Sequence, residues 1–346
     1  MAACIDTSRS EGRQALPETK APHISSCDYE HDCDYQSKIT RFCRPTPCNH
    51  ASMAIPTSSR VPLKPIGRRF PEIPERDDVW VKIREEAKLT SSQEPILSSY
   101  YQSAILSHDS FASALANHLA LKLGSTMSFS SAALYDLFKG ALMEDKGIVE
   151  SAEEDLRAVM ERDPACIGYL QCFLNFKGFL ACQAHRVAHR LWSQGRLTLA
   201  QVLQSRVSEV FAMDIHPGAR IGRGVLFDHA TGVVIGETAV VGDHVSILHK
   251  VTLGGNGKAT GDRHPKIGDG VLIGAGTSVL GNIRVGEGAK IGAGSVVLKE
   301  VPPRTTAAGN PARLVGGEEN PVTLDRIPSL SMDHTWHTSD WSDYVI

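Results

Sequence analysis

An apolar residue recurs at every sixth position from Ile215 to about Val301 of this chain. The series runs Ile221, Phe227, Ile235, Val241, Ile247, Leu253, Ile267, Ile273, Val279, Val285, Ile291 and Val297, often with a glycine next. Such a period fits neither an amphipathic helix nor one long strand. It predicts short strands joined by turns, each supplying one inward side chain, that stack into a solenoid.

Four exceptions to the following glycine indicate how many strands make one coil. Asp228 and Leu248 form the first pair of exceptions, and Leu280 and Leu298 form the second. Each pair spans three hexapeptides once a two-residue slip after Phe227 is removed. This spacing predicts a triangular parallel β-helix, with a glycine-rich loop region or an ordinary β-sandwich as the alternative.

The repeat slips twice, and both slips hold chemically rich residues. The first contains Asp228-His229, and the second contains the stretches 254–258 and 261–266. A repeat that breaks only at such residues indicates that the breaks serve function.

The chain divides into four predicted segments of an α+β protein. Residues 1–76 are polar and rich in Pro and Ser, which predicts a disordered N-terminal extension. Residues 77–212 have helical periodicity and predict an all-α domain, in which Asp77-Asp78 begin the first helix. Residues 213–316 form the predicted β-helix, and residues 317–346 a flexible C-terminal tail.

Composition excludes several classes of function. The net charge of −3 gives no reason to expect nucleic acid or a membrane surface as a partner. The eight cysteines lack the paired spacing of zinc ligands, so no metal site is predicted, although Cys and His of the N-terminal extension remain a weak alternative. No secretory signal is present, and acidic residues interrupt the first 34 positions, which argues against a transit peptide.

The solenoid brings candidate catalytic groups within reach of each other. Asp214 precedes His229 by roughly one coil, and neighbouring coils stack about 4.8 Å apart. A carboxylate on one ring nitrogen would leave the other free to accept a proton. Arg263 offers a fork that matches a carboxylate ligand, and Gly254-Gly255 allow close backbone approach. The set predicts acyl transfer to an amino-acid hydroxyl, without a covalent enzyme intermediate.

Several motifs in one order resemble the hexapeptide-repeat acyltransferase family, and within it the serine O-acetyltransferases of plants. The motifs are Arg-Asp-Pro-Ala (162–165), Lys-Gly-Phe (177–179), Ala-His-Arg (184–186), Asp-Ile-His-Pro (214–217), Asp-His-Ala-Thr-Gly (228–232), Val-Thr-Leu-Gly-Gly (251–255) and Gly-Asp-Arg-His-Pro-Lys (261–266). The resemblance covers about residues 77–316 and implies a left-handed β-helix. It also implies transfer of acetyl from acetyl-CoA to L-serine, with acetyl-CoA as a co-substrate and no permanently bound cofactor. A related transferase with a sugar or another hydroxyl or amine acceptor is the alternative.

The resemblance also implies roles for individual residues. His229 would be the general base and Asp214 its orienting carboxylate. Asp163 and Asp228 would contact the amino and hydroxyl groups of serine. The remaining assignments are Arg263 and His264 for the serine carboxylate, and Gly254, Gly255, Ala275 and Ala293 for the acetyl-CoA groove.

The same resemblance implies partners and a compartment. It implies a homotrimer or a dimer of trimers, with active sites between neighbouring copies. The C-terminal Tyr344-Val345-Ile346 is similar to the tail by which plant members dock into O-acetylserine (thiol) lyase, where the α-carboxylate of Ile346 could mimic an amino-acid substrate. The first seven residues resemble cytosolic members, so a cytoplasmic location is expected, with the plastid as the alternative.

Overall fold

The computed structural model describes residues 78–125, 129–257 and 260–333. The predicted disordered extension and the docking residues 344–346 lie outside them. Helices occupy the first part: α1 Val79–Gln93, α2 Ser98–Tyr101, α3 Phe111–Leu123, α4 Ser131–Glu144, α5 Lys146–Arg162, α6 Tyr169–Asn175, α7 Lys177–Ser193 and α8 Leu197–Phe211. A 3-10 turn, Pro95–Leu97, precedes α2, and a π-helical turn, Gln102–Leu106, follows it.

Capping residues account for the starts of several helices. The Asp78 carboxylate accepts hydrogen bonds from the backbone N–H groups of Trp80 and Val81, which lack partners within the helix. Ser110 and Ser130 cap α3 and α4 in the same way. The Asp78 cap confirms the helix start predicted at Asp77-Asp78.

A single residue separates the short helix α6 from the long helix α7. Phe176 adopts an extended conformation (φ −80°, ψ 102°), which ends α6 and begins α7. Leu174 and Phe179 are both buried, so the apolar pattern continues across the break while the backbone turns. Hydrophobic periodicity alone does not reveal such a break.

Fifteen short strands follow α8 in the described residues. They are β1 Met213–Ile215, β2 Arg220–Ile221, β3 Leu226–Phe227, β4 Val233–Ile235, β5 Val240–Val241, β6 Ser246–Ile247, β7 Thr252–Gly254, β8 Lys266–Ile267, β9 Leu272–Ile273, β10 Ser278–Leu280, β11 Arg284–Val285, β12 Lys290–Ile291, β13 Val296–Val297, β14 Thr306–Gly309 and β15 Ala312–Leu314. A short helix, α9 Pro328–Ser331, comes last.

The strands form the three faces of a parallel β-helix, which confirms the predicted solenoid. The first sheet has the order β1-β4-β7-β10-β13, the second β11-β8-β5-β2, and the third β15-β14-β12-β9-β6-β3. Val234 pairs with Thr252, and Ser278 with Val296, so an uninterrupted coil is three hexapeptides long. The inward side chains of the repeat, such as Ile247 and Leu253, are fully buried.

The register locates the two slips. Asp214 pairs with Val234, which makes the first coil slightly longer than three hexapeptides. Thr252 pairs with Ser278, which makes the third coil longer still. Both slips therefore enlarge corners of the solenoid and leave its strand pairing intact.

A buried ion pair joins the helices to the first coil. The Arg186 guanidinium on α7 donates to Asp155 of α5 over 2.7 Å and to the carbonyl oxygens of Ile221 and Gly222. The other oxygen of Asp155 accepts from the N–H of Val225. Because both charges are hydrogen-bonded on several sides, their burial is compensated. This network fixes α5 and α7 against the corner that precedes β3.

The described part of the predicted tail, residues 317–333, differs from a flexible segment. We call it the C-terminal segment. Leu324 and Pro328 are buried. The Arg304 guanidinium donates to the carbonyl oxygen of Leu324, and Thr323 forms a bridge with Thr305. Its apolar residues are too sparse to show a period, yet they cover the third sheet.

Candidate active site

The first slip forms an exposed corner that carries His229. We call residues 228–232 the His229 corner. His229 and Ala230 both have left-handed backbone conformations (φ 55° and 56°), and the N–H of Ala230 donates to the carbonyl oxygen of Asp228. The His229 imidazole is 77% exposed, and its Nε2 lies 3.8 Å from Oδ1 of Asp228. The corner therefore presents a solvent-accessible imidazole with a carboxylate beside it.

Helix α7 supports this corner from behind. A Cβ on Gly178 would lie 2.3 Å from the carbonyl oxygen of Phe227 and 3.1 Å from Cβ of Ala230, so only glycine permits this approach. The Lys177 ammonium donates to the hydroxyl of Thr231. The Lys-Gly pair at the start of α7 thus contacts the corner at Ala230 and Thr231.

A column of equivalent corner positions runs along the solenoid from His229. The second residue after β3 is His229, and the second residues after β6, β9 and β12 are His249, Ala275 and Ala293. The rings of His229 and His249 lie 6.0 Å apart, centroid to centroid. Ala293 is exposed and Ala275 partly exposed, so small side chains leave a shallow strip below the imidazoles.

Two of the three predicted aspartates, Asp214 and Asp163, are hydrogen-bonded to groups other than His229. The Asp214 carboxylate accepts a hydrogen bond of 2.6 Å from Nε2 of Gln204 on α8. Asp163 ends α5, and its carboxylate accepts from the N–H of Ala165. Among the described residues, neither carboxylate contacts the His229 ring.

The second slip forms a loop that holds Arg263 and His264 together. We call residues 260–266 the Arg263 loop. Nη2 of Arg263 donates to Glu237 over 2.7 Å, and Nη1 donates to the carbonyl oxygen of Gly261. The Thr238 hydroxyl accepts from the N–H groups of both Arg263 and His264. One threonine therefore fixes the backbone of both predicted carboxylate ligands.

The tautomer of His264 follows from its contacts. The N–H of Thr238 can only donate, and it lies 3.2 Å from Nδ1 of His264, so Nδ1 accepts and Nε2 carries the proton. Burial lowers the pKa of His264, and the neighbouring Arg263 lowers it further. The ring is therefore a neutral donor through Nε2.

Two further titratable side chains, Glu237 and His216, interact with Arg263 of this loop. The Arg263 guanidinium lowers the pKa of the Glu237 carboxyl. Burial lowers the pKa of His216, whose Nδ1 accepts from the N–H of Gly218. His216 packs edge-to-face on Trp192 at 4.9 Å between ring centroids.

The His229 corner lies at the N-terminal ends of the strands of the first sheet, and the Arg263 loop lies at their C-terminal ends. The corner precedes β4 and the loop follows β7, and these strands are neighbours. A strand of three residues spans about 10 Å. Gly255 lies at the C-terminal end of the strands, beside the Arg263 loop, since a Cβ there would be 3.5 Å from the carbonyl oxygen of Arg263. Four residues were predicted to line one groove. Gly254 and Gly255 lie at the C-terminal ends of the strands, whereas Ala275 and Ala293 lie at the N-terminal ends.

Sequence reasoning missed several residues that hold these groups. Glu237, Thr238 and Gly236 act across the enlarged third coil on Arg263 and His264, and Gln204 acts across the helix-to-solenoid boundary on Asp214. The register of that coil would have been needed to find the first three. No sequence period relates Gln204 to Asp214.

Two searches of the described residues concern other kinds of site. Within residues 78–125, 129–257 and 260–333, no group of three or more His, Cys, Asp or Glu side chains could hold a metal ion. None of the helices found there has the length and apolar character needed to cross a bilayer.

Known proteins match the chain over its helices and its solenoid. The family model "Serine acetyltransferase, N-terminal" matches residues 79–184, and "Bacterial transferase hexapeptide (six repeats)" matches residues 264–299. Serine acetyltransferase 3, mitochondrial, of Arabidopsis thaliana is 58% identical over 100% of this chain and 86% of its own length. Serine acetyltransferase 1, chloroplastic, of the same plant is 65% identical over 80% of this chain and 87% of its own.

A solved structure agrees in both sequence and fold. Soybean serine acetyltransferase complexed with serine is 64% identical, with a TM-score of 0.67, and covers 68% of this chain and 97% of its own. That agreement spans the helices and the β-helix together.

The expected cytoplasmic location is wrong by the same comparison. The two Arabidopsis relatives carry the names mitochondrial and chloroplastic, which point to organelles. The acidic residues near the start of the chain, which argued against a transit peptide, were therefore a poor guide to the compartment.

The order of helices and solenoid and the identity over the whole chain agree with one family of acyltransferases. The chain belongs to the serine acetyltransferases.

Proposed function

We propose that this chain transfers the acetyl group of acetyl-CoA to the hydroxyl of L-serine, with His229 as the general base. The observation that carries this proposal is the exposed imidazole of His229 on a rigid corner at the first break of the repeat. The left-handed backbone of His229 and the close approach of Gly178 to Phe227 and Ala230 fix the backbone that carries the ring. A general base needs such a fixed and accessible nitrogen.

The reaction requires one proton to move twice. The His229 nitrogen accepts the proton of the serine hydroxyl as its oxygen attacks the thioester carbonyl. The tetrahedral intermediate then collapses, expels the CoA thiolate and leaves O-acetyl-L-serine. The imidazolium returns the proton to the thiolate, so His229 ends the cycle neutral.

Asp214 remains the proposed orienting carboxylate. Gln204 donates to its Oδ1, so the proposed role falls to Oδ2, the second acceptor oxygen of the carboxylate. Asp228, 3.8 Å from Nε2 of His229, is the nearer carboxylate and suits the amino or hydroxyl group of serine. Asp163 is the second proposed contact for these groups.

Arg263 and His264 suit the carboxylate of serine. Arg263 uses donors on Glu237 and Gly261 and retains others for a ligand. Neutral His264 adds a donor through Nε2 without a second positive charge. A sugar acceptor would leave both groups without the carboxylate that their geometry fits.

The separation of the two corners favours a site between copies of the chain. One sheet lies between the His229 corner and the Arg263 loop within each chain. Two copies that pack side by side would bring the His229 corner of one against the Arg263 loop of the other. The strip beside Ala275 and Ala293 and the glycines Gly254 and Gly255 would then form the two walls of the acetyl-CoA groove. We propose a homotrimer, or a dimer of trimers, on this basis.

A matched pair of histidine substitutions tests the base. His229 and His244 are both left-handed corner residues (φ 55° and 57°), and asparagine tolerates that conformation. His229→Asn should lower kcat by about 100-fold or more, the usual size of a general-base effect. His244→Asn should retain kcat within a small factor. Equal activity of both variants would reject His229 as the general base.

The acceptor is tested by thiol release from acetyl-CoA. Serine should support release, whereas sugars, amino sugars and amino acids without a hydroxyl should not. Release with a sugar and none with serine would favour the alternative transferase. Arg263→Lys should raise the KM for serine far more than that for acetyl-CoA, because a lysine cannot form the bidentate contact.

We further propose that the end of the chain docks into O-acetylserine (thiol) lyase. The sequence from Trp341 to Ile346 combines aromatic and apolar side chains, which suit the groove of a partner that recognises an extended peptide. Deletion of residues 337–346 should abolish co-elution with the lyase and leave acetyl transfer intact. Persisting co-elution would reject the tail as the docking element.

A further inference from the structure

The last residue of α5 carries a buried guanidinium that reaches the solenoid. Arg162 is 5% exposed, and its Nη1 lies 3.2 Å from the Ser246 hydroxyl and 3.4 Å from the carbonyl oxygen of His244, to both of which it donates. Nε of Arg162 has no partner among the described residues. A buried cation needs fixed acceptors, so these two oxygens set the position of the guanidinium on the solenoid.

Asp163 follows Arg162 directly and is held to the same turn of helix. The N–H of Asp163 donates to the carbonyl oxygen of Val159 over 2.9 Å, which continues the hydrogen bonding of α5 into this residue. The N–H of Ala165 donates to the Asp163 carboxylate over 2.8 Å. The carboxylate therefore moves only when the last turn of α5 moves.

Asp228 is attached to the strand that Arg162 contacts. Strand β6 pairs in parallel with β3, and its residue Ile247 accepts a hydrogen bond of 2.9 Å from the N–H of Asp228. Ser246, which accepts from Arg162, is the neighbouring residue of β6. Asp163 and Asp228 are thus attached to adjacent residues of one strand, the first through a side chain and the second through the backbone.

We propose that Arg162 is a positioning residue for serine, which sets the Asp163 carboxylate at a fixed place relative to Asp228. The two carboxylates can then contact one substrate molecule together. The assignment rests on the serine contacts proposed above for these two aspartates. Arg162 acts through the end of α5 and through β6, and it takes no part in proton transfer.

A second anchor of the same helix does not duplicate this role. The ion pair of Arg186 with Asp155 joins α5 to the corner that precedes β3. Asp155 lies seven residues before Arg162, which is roughly two helical turns. The last turn of α5, which carries Asp163, is therefore left to Arg162.

Kinetics with serine and acetyl-CoA varied separately test the assignment. Arg162→Met keeps an unbranched apolar side chain and removes every donor, so the last turn of α5 loses its anchor. The KM for serine should rise by about tenfold or more, because a shift of the order of 1 Å at a binding group has a large effect. The KM for acetyl-CoA should change little. Arg162→Lys retains a cation that can donate to Ser246, so its serine KM should lie between those of the wild type and Arg162→Met.

Arg206→Met is the matched control for the loss of a structural arginine. Besides its ion pair with Glu209, Arg206 donates to the carbonyl oxygens of Leu123 and Gly124, which ties α8 to the end of α3. Its replacement should lower the melting temperature and leave both KM values close to those of the wild type. An unchanged serine KM in Arg162→Met, or equal rises for both substrates, would overturn the positioning role.

Ser246→Ala tests the path from the other side. It removes one of the two acceptors, so it should also raise the serine KM, and the double variant with Arg162→Met should match Arg162→Met alone. Independent, multiplying effects would overturn the path through β6. Should Arg162→Met fail to fold, Arg162→Lys and Ser246→Ala make the same comparison.

Asp163→Asn, in the same assay, separates this assignment from the proposed function. A raised serine KM in Asp163→Asn with an unchanged one in Arg162→Met would reject only the role of Arg162. An unchanged serine KM in Asp163→Asn would reject the contact of Asp163 with serine and the role of Arg162 with it, and leave His229 untouched. No thiol release with serine in the wild type would reject the proposed function itself.

Discussion

The imidazole of His264 occupies the space that a side chain at position 236 would need. A Cβ on Gly236 would lie 2.0 Å from both Cδ2 and Nε2 of that ring. Real atoms cannot approach so closely, so glycine at this turn is a condition for the position of His264. The corner between β4 and β5 therefore shapes a group in the loop that follows β7.

Replacing Gly236 should disturb serine binding selectively. Gly236→Ala should displace the His264 ring and raise the KM for serine by about tenfold or more, as expected when a charge-assisted contact is lost. Steady-state kinetics with serine and acetyl-CoA varied separately would measure this. Gly140→Ala is the control, because a Cβ there meets nothing within 4 Å. A serine KM unchanged by Gly236→Ala would contradict the role of His264.

A second glycine supports the proposed base. Gly178→Ala would place a Cβ 2.3 Å from the carbonyl oxygen of Phe227, so either α7 or the His229 corner must shift. We expect kcat to fall by about 10-fold to 100-fold, because a shift of the order of 1 Å at a catalytic group has this effect. Circular dichroism should show that the helices persist. Full activity in a folded variant would show that the corner does not depend on α7.

Period alone predicted the scaffold because each coil obeys one rule. Every hexapeptide contributes one inward residue, and three of them close a coil, so Ile247 and Leu253 could be placed before any coordinates existed. Corner contacts follow no such rule. Thr238 meets His264 only because the inserted loop folds back by a full coil, and Gln204 meets Asp214 only because α8 runs directly into β1.

The C-terminal segment shows the same limit. The Ser246 hydroxyl donates to the carbonyl oxygen of Ser329 and accepts from Nη1 of Arg162. This bridge links α5, the second coil and α9, although nothing in the sequence around Ser329 indicates burial. The mostly polar composition of this segment predicted a flexible tail. Composition did not reveal that a few buried residues suffice to hold so short a segment against the solenoid.

Removing this bridge should destabilise the fold. Burial lowers the pKa of Arg162 to about 10, and Nε of Arg162 has no hydrogen-bond partner. Ser246→Ala removes a further acceptor from that buried cation, which should cost about 1.5 to 3 kcal/mol. Thermal unfolding would measure the loss. Ser331→Ala removes hydrogen bonds only to the neighbouring Pro328 and Asp333 and should change stability by less than about 0.5 kcal/mol. Equal melting temperatures for the two variants would mean that the bridge contributes nothing.

Buried histidines should make the helical part sensitive to acid. His118 is 3% exposed, and its Nε2 lies 2.9 Å from the carbonyl oxygen of Leu174, to which it donates. Burial lowers its pKa to about 4, against the opposing effect of that hydrogen bond. Burial likewise lowers the pKa of His185 to about 3. Both rings are therefore neutral in the folded chain at neutral pH.

The direction of the pH effect follows from proton binding. Unfolding returns each histidine to a pKa of about 6.5, so between pH 6.5 and 4 the unfolded chain binds more protons than the folded one. The contribution of a neutral His118 is complete above pH 6.5 and declines by up to about 1.4 kcal/mol per pH unit below it. Melting temperatures measured from pH 7.5 to pH 5 should fall accordingly. His118→Gln keeps a donor for Leu174 but cannot take up a proton, so its melting temperature should fall less steeply with acid. Parallel pH profiles for the wild type and this variant would mean that His118 does not become charged on unfolding.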